Sequence, residues 1–231
     1  MNHLPPERSK HLYSKLDTDL GALKDGVVKM GRVVDTQVAQ ALSAFVKRDS
    51  FEAATVVAGD KQVNALEREL DERCVLVLAL LQPAASDLRF VAAVLKIVTD
   101  LERIGDFAVS IAKSVPSLEP SPLRGEQELV SLGEAAVGVL RTALDAFVRR
   151  DVAEAQQACT ADQPVTAALM ALGRELRQEI RQDPSVLDNA LAVLFATRYL
   201  ERIAEHATNI AEMALYTERG EDIRHVIERP A

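Results

Sequence analysis

Apolar residues recur every three or four positions along most of this 231-residue chain, a pattern that predicts long amphipathic helices. The first stripe consists of Leu16, Leu20, Leu23, Val27, Met30, Val34, Val38, Leu42 and Phe45. A helix of roughly 30 residues, rising about 1.5 Å per residue, would be about 45 Å long. No segment alternates convincingly between apolar and polar residues with a period of two, so the chain is predicted to be all-α.

The pattern also indicates where the next two helices begin and end. Asp49, followed three residues later by Glu52, has the spacing of a capping box and predicts the start of the second helix. That helix should end at Gln82-Pro83, because the residue before a proline disfavours the helical conformation. The third helix is then expected to begin with Ser86 or Asp87 as its N-cap.

Two sequence repeats divide the chain into equivalent halves. Residues 44–49 recur in the second half at 146–151, an offset of 102 residues. Residues 101–112 recur at 200–211, an offset of 99 residues. Residues 116–125 contain three prolines and one glycine and cannot continue a helix. We therefore predict a three-helix module at 1–115, a linker at 116–125 and a second three-helix module at 126–231.

Composition limits the partners and the compartment. The chain has 27 Lys and Arg against 35 Asp and Glu, a net charge of -8, which disfavours nucleic acid and anionic lipid as direct partners. Cys74 and Cys159 lie far apart in helical segments and are expected to be free thiols in a reducing compartment. The longest charge-free apolar run, 74–86, is shorter than the ~20 residues of a membrane helix, and no export signal is visible. We expect a soluble, cytoplasmic protein.

The most specific candidate for chemistry is a pair of carboxylates four residues apart in each third helix, Glu102 with Asp106 and Glu201 with Glu205. This spacing places both carboxylates on one helix face, where like charges repel unless they gather cations. Oxygen ligands suit Mg, Mn, Ca or Fe, with Zn as a further candidate. Alternatively, Arg103 and Arg202, or neighbouring lysines, neutralise the carboxylates as ordinary surface ion pairs.

A second polar stripe lies along the second helix and consists of Asp60, Asn64, Glu67 and Asp71. If the second and third helices are neighbours in a bundle, these acids could converge with the carboxylate pair on one ion or a small cluster. The alternative is a solvated stripe. In the second module only Asp162 is retained, with Thr166 in the position of Asn64, so the second site should be poorer.

Sequence motifs for catalysis are missing. The chain has no GxGxxG, no GxxxxGK[ST], no nucleophile elbow and no HExxH. His206 directly follows Glu205, but no Glu stands three residues before it, so the Glu-x-x-His of di-iron bundles is absent and an oxidase is disfavoured. We expect His206 to make a polar contact at the edge of the bundle.

These residues together resemble the PhoU family, the cytoplasmic regulators of high-affinity phosphate uptake. The resemblance rests on four segments and spans nearly the whole chain: Asp60-x-x-Val-Asn-x-Leu-Glu67, Gln82-Pro-Ala-Ala-Ser-Asp-Leu-Arg89, Asp100-Leu-Glu-Arg-Ile-Gly-Asp106 and Leu200-Glu-Arg-Ile-Ala-Glu-His-Ala207. The ending from Tyr216 to His225 is similar to the family's as well. The family implies two tandem three-helix bundles related by a pseudo-twofold axis.

The resemblance also implies iron or zinc, as single ions or multinuclear clusters, with Mg or Mn as alternatives. Carried onto this chain, the implied ligands are Glu102, Asp106, Glu201, Glu205, Asp60 and Asp162, with Asn64, Glu67 and Asp71 as further candidates. The chain departs from the family at Glu205, where Asp is usual, at Ala204, where Gly is usual, and at Phe107, where His is common. The longer side chain at Glu205 shifts its carboxylate by about one methylene, so the second site is expected to be poorer than the first.

The partners that the resemblance implies are the ATPase subunit of the phosphate ABC transporter and the phosphate-sensing histidine kinase, together with a second copy of the chain in a homodimer. The expected function is a non-enzymatic adaptor that represses phosphate uptake and the phosphate-starvation genes. The alternative is a metal-dependent enzyme or metal store built on a carboxylate-lined bundle. A third interpretation is a helical scaffold that binds no metal.

Overall fold

The computed structural model describes residues 6–120 and 125–220, with side chains described from residue 14 onward. The helices are α1 (Pro6–Lys47), α2 (Ser50–Leu81), α3 (Ala85–Ser114), α4 (Glu126–Arg149), α5 (Val152–Ala158), α6 (Gln163–Gln182) and α7 (Leu187–Arg219). Short 3-10 turns occupy Val115–Ser117 and Pro184–Val186. No strand occurs in these ranges, which confirms the all-α prediction. The predicted similarity at 221–225 and the linker residues 121–124 lie outside the described residues.

Equivalent aspartates begin the second helix of each module. The Asp49 carboxylate accepts hydrogen bonds from the backbone N–H groups of Phe51 and Glu52, both at 2.9 Å. Asp151 caps α5 in the same way. These bonds satisfy N–H groups that have no partner within the helix. The Glu52 side chain accepts a hydrogen bond from the Ser43 hydroxyl at 3.0 Å, on the adjacent end of α1.

The prediction for the start of α3 was wrong. The helix begins at Ala85, and its N-cap is Ala84, which makes no side-chain capping bond. The turn is built by the backbone instead: Gln82 ends α2 in the left-handed conformation at φ 47°, and Ala85 lies at φ 48°. The Asp87 N–H then bonds the Ala84 carbonyl at 3.1 Å, so a side-chain cap is not needed there.

The second helix of the second module is interrupted, which the sequence pattern did not predict. It is divided into α5 and α6 because Pro164 lacks an N–H and its ring would clash with the carbonyl four residues earlier. The register nevertheless persists across the break. The 102-residue offset relates three buried residues of α6 to three buried residues of α2, namely Val165 to Val63, Leu172 to Leu70 and Leu176 to Cys74.

The two modules pack against each other through α3 with α7 and α1 with α4, and share one aliphatic core. Across α3 and α7, the rings of Phe107 and Tyr199 lie 6.0 Å apart, and His206 Nδ1 lies 2.7 Å from Asp100 Oδ1. The 99-residue offset relates Phe107 to His206 and Asp100 to Tyr199. The two contacts are therefore symmetry-equivalent, and a pseudo-twofold axis passes between α3 and α7.

Glycines bring α1 and α4 close together. A Cβ added at Gly31 would overlap Leu144, and one added at Gly133 would overlap Leu42. No helix in the part of the chain that the structure describes is long and apolar enough to cross a membrane. Both cysteines are buried and neither is in a disulfide, as predicted.

Candidate metal centre

Carboxylates of α2 and α3 face one another in the first module. Glu67 lies on α2 and is half-buried, and burial is the largest cause that raises the pKa of its carboxyl above the usual value. The negative charges of Asp71 and Asp106 raise the pKa further, against the lowering effect of Arg68 and Arg103. Because Asp106 lies on α3, acids of the two helices are close enough at this point to repel each other.

Glu102 on α3 belongs to the same electrostatic group. Its side chain is 19% exposed, and burial raises the pKa of its carboxyl most strongly. Asp106 and Glu67 raise the pKa further by charge repulsion, and a hydrogen bond with Asp106 acts in the same direction. Arg103 lies between the two α3 carboxylates, 3.7 Å from Glu102 and 3.5 Å from Asp106, and only partly offsets their charge.

The remaining members of the α2 stripe are Asp60, Asn64 and Asp71, of which Asp71 is close enough to Glu67 to raise the pKa of its carboxyl. Asn64 donates a hydrogen bond to Asp60 at 2.9 Å, so these two side chains contact each other. Burial raises the pKa of Asp71, and the charge of Asp71 contributes to a pKa of about 12 at Cys74, for which burial is the larger cause. All four stripe residues are partly buried, so the stripe is not simply solvated.

The donor set fits a cation in its chemistry, although the side chains are not gathered for one. Glu67, Asp71 and Glu102 are oxygen donors, and burial is the largest cause that raises the pKa of each carboxyl. At Glu67 and Glu102 neighbouring carboxylates raise the pKa further, and a hard or borderline cation would relieve that repulsion. Within residues 14–120 and 125–220, however, no group of three or more His, Cys, Asp or Glu side chains is placed to hold an ion. Ligation would therefore require side-chain rotation.

Gly105, between the two α3 carboxylates, marks a close approach of three helices. A Cβ at this position would lie 3.2 Å from Gln37 Oε1 of α1 and 3.3 Å from Val63 Cγ1 of α2. Gln37 is 5% exposed, and its amide donates to the Val56 carbonyl at 3.4 Å. The sequence analysis missed Gln37, although a lone amide between the buried stripe residues of α1 was the available signal.

In the second module, the predicted carboxylates are held by arginines of their own helix. Glu201 is 5% exposed and forms an ion pair with Arg198, and Glu205 accepts a hydrogen bond from Arg202 at 2.7 Å. The alternative of a surface ion pair fits Glu205, whose partner is Arg202, whereas Glu201 is buried and pairs with Arg198.

The second module also lacks acids at the positions of its second helix that correspond to Glu67 and Asp71, although α6 carries Glu175 and Glu179 elsewhere. Asp162 lies immediately before α6 and makes no side-chain cap there. The 102-residue offset places Leu169 and Gly173 in the positions of Glu67 and Asp71. The predicted second site would thus have fewer candidate ligands than the first.

His206 makes the polar contact that was expected, but between the modules rather than at the bundle edge. Besides its contact with His206, Asp100 accepts a hydrogen bond from the Asn209 amide at 3.3 Å. The Phe107 ring lies 5.6 Å from the imidazole. The histidine thus helps to join α3 to α7.

Comparisons with known proteins agree with the fold. The family model described as PhoU domain matches residues 27–115 and 129–214. The phosphate-specific transport system accessory protein PhoU homolog of Pseudomonas putida is 38% identical over 218 residues, covering 94% of this chain and 85% of the relative. The phosphate-specific transport system accessory protein PhoU of Escherichia coli K12 is 36% identical over 221 residues, covering 94% and 91%.

Solved structures give the same result. The crystal structure of PhoU from Pseudomonas aeruginosa matches with a TM-score of 0.85 and 38% identity, covering 89% of this chain and 99% of that one. The phosphate transport system regulatory protein PhoU from Streptococcus pneumoniae matches with a TM-score of 0.84 and 29% identity, covering 90% and 98%. The sequence and structural matches both extend over both modules, and the chain belongs to the PhoU family.

Proposed function

We propose that this chain is a regulatory accessory protein of a phosphate-specific transport system, and that it acts as a metal-binding adaptor without catalytic activity. The relatives from Pseudomonas putida and Escherichia coli are named as accessory proteins of that system. The observation that carries the metal-binding part is the mutual repulsion of Glu67, Glu102 and Asp106 across α2 and α3. An adaptor needs helical surfaces for partners, and this arrangement would let a cation fix two of those helices relative to each other.

The metal of this proposal is iron or zinc, with Mg or Mn as alternatives. Glu102 and Asp106 would hold it from α3, and Glu67 and Asp71 from α2, with Asp60 and Asn64 as neighbouring donors. A bound cation would neutralise the carboxylates and favour the α2–α3 contact, because ligands that bind the folded state stabilise it. The second set, Glu201, Glu205 and Asp162, stays a prediction with fewer supporting acids.

The partners of the adaptor are the ATPase subunit of the phosphate ABC transporter and the phosphate-sensing histidine kinase, and it acts in the cytoplasm as a homodimer. In abundant phosphate it would keep the kinase from activating the phosphate-starvation genes.

Metal binding is tested on the purified protein after dialysis against a chelator. Addition of ferrous iron or zinc should raise the melting temperature, and a 100-fold excess over Kd corresponds to about 2.7 kcal/mol. Glu102→Gln/Asp106→Asn should lose this increase, whereas the exposed-site control Glu175→Gln should retain it. An equal increase in all three proteins would place the metal elsewhere.

The regulatory role is tested by deleting the gene in its host and measuring a phosphatase reporter in abundant phosphate. Wild type and Glu175→Gln should restore repression, and Glu102→Gln/Asp106→Asn should not. Repression by the double variant would retain the adaptor and remove the metal from signalling. Normal repression in the deletion strain would contradict the regulatory role and favour a metal-dependent enzyme or store.

A further inference from the structure

The outer surface of α6 and α7 carries large apolar side chains that the fold leaves exposed. Met170 on α6 is 55% exposed and Phe195 on α7 is 61% exposed. Leu187 and Leu191 are 40% and 39% exposed and precede Phe195 at four-residue spacing, so the three share one stripe of α7. The α6–α7 face is defined here by Met170, Arg174, Arg177 and Arg181 of α6 and by Leu187, Leu191, Phe195, Arg198 and Arg202 of α7.

The two stripes border the same helix–helix contact. Leu194 Cδ2 of α7 lies 3.6 Å from the position that a Cβ on Gly173 of α6 would occupy. Met170 lies three residues before Gly173, and Arg174 lies one residue after it. Leu191 and Phe195 have the same two spacings around Leu194. The apolar side chains of both helices therefore flank one shallow junction and can be contacted together.

The duplicated chain provides an internal control for this surface. In the first module, Arg68 occupies the position equivalent to Met170, and Lys96 occupies the position equivalent to Phe195. The first module thus folds around the same buried positions with charged residues at these sites. Exposed Met170 and Phe195 are therefore not required by the packing of a module, and an exposed apolar patch of this kind is typical of an interaction site.

The charge of the face is opposite to that of the protein. Arg174, Arg177 and Arg181 lie on one stripe of α6 and are exposed, whereas the chain as a whole carries a net charge of -8. On α7, Arg198 is paired with Glu201, and Arg202 with Glu205. Glu175 and Glu179 lie on a different stripe of α6, and Asp188 is an exposed acid beside Leu187. The three α6 arginines outnumber Asp188 next to the apolar side chains, and such a local field favours a negatively charged partner.

We propose that the α6–α7 face binds an amphipathic helical segment of another protein, with apolar side chains on one side of that segment and acidic side chains along its edge. The apolar side would cover Met170, Leu191 and Phe195, and the acidic edge would meet the α6 arginines. This is the geometry of a helix seated on a groove between two helices. The surface would serve the proposed adaptor but does not depend on the metal centre.

A protein segment fits this face better than the two other classes of occupant. An anionic bilayer is an extended surface and would meet the field of the whole chain, whose net charge is -8, whereas a helical segment covers only the face and meets the local field of the arginines. A second copy of the chain, paired through the same face about a twofold axis, would bring arginine stripes together. Both remain distinct outcomes of the test.

The test is site-specific photo-crosslinking in the cells that make this protein. A photoreactive amino acid replaces Leu191, which is at the centre of the face, and in a control it replaces Ala92, the equivalent position of the first module. Mass spectrometry of the crosslinked peptide identifies the segment, and that peptide is then synthesised for binding measurements with the purified full chain.

The expected result is one acidic, amphipathic segment crosslinked at position 191 and not at position 92. Its affinity should fall roughly tenfold or more in Met170→Gln/Phe195→Gln, which removes the apolar contacts without adding positive charge, and should decrease with added salt. Equal crosslinking at both positions, a crosslink to a second copy of this chain, or a basic segment would each overturn the proposal. The proposal would also be overturned if no segment were crosslinked at position 191 and the protein instead sedimented with vesicles of phosphatidylcholine and phosphatidylglycerol through this face.

Discussion

Replacement of Glu102 by Gln should stabilise the metal-free protein, although it removes a group that contacts Arg103. The side chain is 19% exposed, so the change removes a partly desolvated charge while keeping the size of the side chain. Glu102 is repelled by Asp106 on its own helix and by Glu67 on α2. Like-charge pairs of this kind cost about 0.2–0.5 kcal/mol each.

The magnitude follows from these opposing interactions. Relief of the two repulsions should raise the free energy of unfolding by roughly 0.5–1 kcal/mol. Loss of the 3.7 Å contact with Arg103 should lower it by about a few tenths of a kcal/mol, since exposed ion pairs are worth about 0.2–1 kcal/mol. A net gain of about 0.5 kcal/mol corresponds to an increase of about 1–2 °C in melting temperature for a chain of this size. The measurement is thermal unfolding by circular dichroism at pH 7 with chelator, with Glu175→Gln as the charge-matched control.

The pH dependence gives the sign of the effect. Because folding raises the pKa of the Glu102 carboxyl above 4.5, the folded state binds the proton of this group more tightly than the unfolded state does. The charged carboxylate therefore lowers the free energy of unfolding, and this effect is fully present above the folded pKa. It disappears as the pH falls below the unfolded pKa, so wild type and Glu102→Gln should converge there. With ferrous iron or zinc present, the order at pH 7 should reverse in favour of wild type. A variant less stable than wild type at pH 7 in chelator would refute the repulsion argument.

Three further substitutions or treatments test the fold around the site. Gly105→Ala should cost about 1 kcal/mol in urea unfolding, because crowding against Gln37 and Val63 exceeds the helix propensity gained, and Gln37→Val in the same chain should recover part of it. Asp151→Ala should cost about 1 kcal/mol by the same assay through loss of its two capping bonds, whereas Asp151→Asn should cost less. The thiol of Cys74, whose pKa burial raises to about 12, should resist iodoacetamide at pH 8 in the folded protein and react after denaturation.

Much of the fold could be predicted from the sequence because its determinants are local. Periodicity, the Asp49 cap and the Gln82-Pro83 stop are each set within a few residues. The break before α6 was missed because Val165 and Leu172 stay in register with the first module, so the apolar pattern runs through it. Pro164 was the local signal, and its steric effect outweighs the continuing pattern.

The candidate site was predictable only in part, for a geometric reason. Residues on one helix stripe share a face, but Asp60 and Asp71 are separated by 11 positions, or about 16 Å along the axis. One ion cannot contact both ends of such a stripe. Which acids meet α3 depends on how α2 packs against it, and that is decided by contacts such as Gly105 with Gln37, which lie far apart in sequence.

The junction of α3 and α7 has a consequence for how the two modules choose each other. If two copies of the first module paired through this junction, Asp100 would face Phe107, and the carboxylate would lose the hydrogen bonds that His206 and Asn209 now provide. Loss of hydrogen bonding at a partly buried carboxylate is costly. The unlike contacts across the pseudo-twofold axis therefore favour pairing of the first module with the second over pairing with another copy of itself. Covalent fusion and side-chain chemistry thus specify the same assembly for the first module.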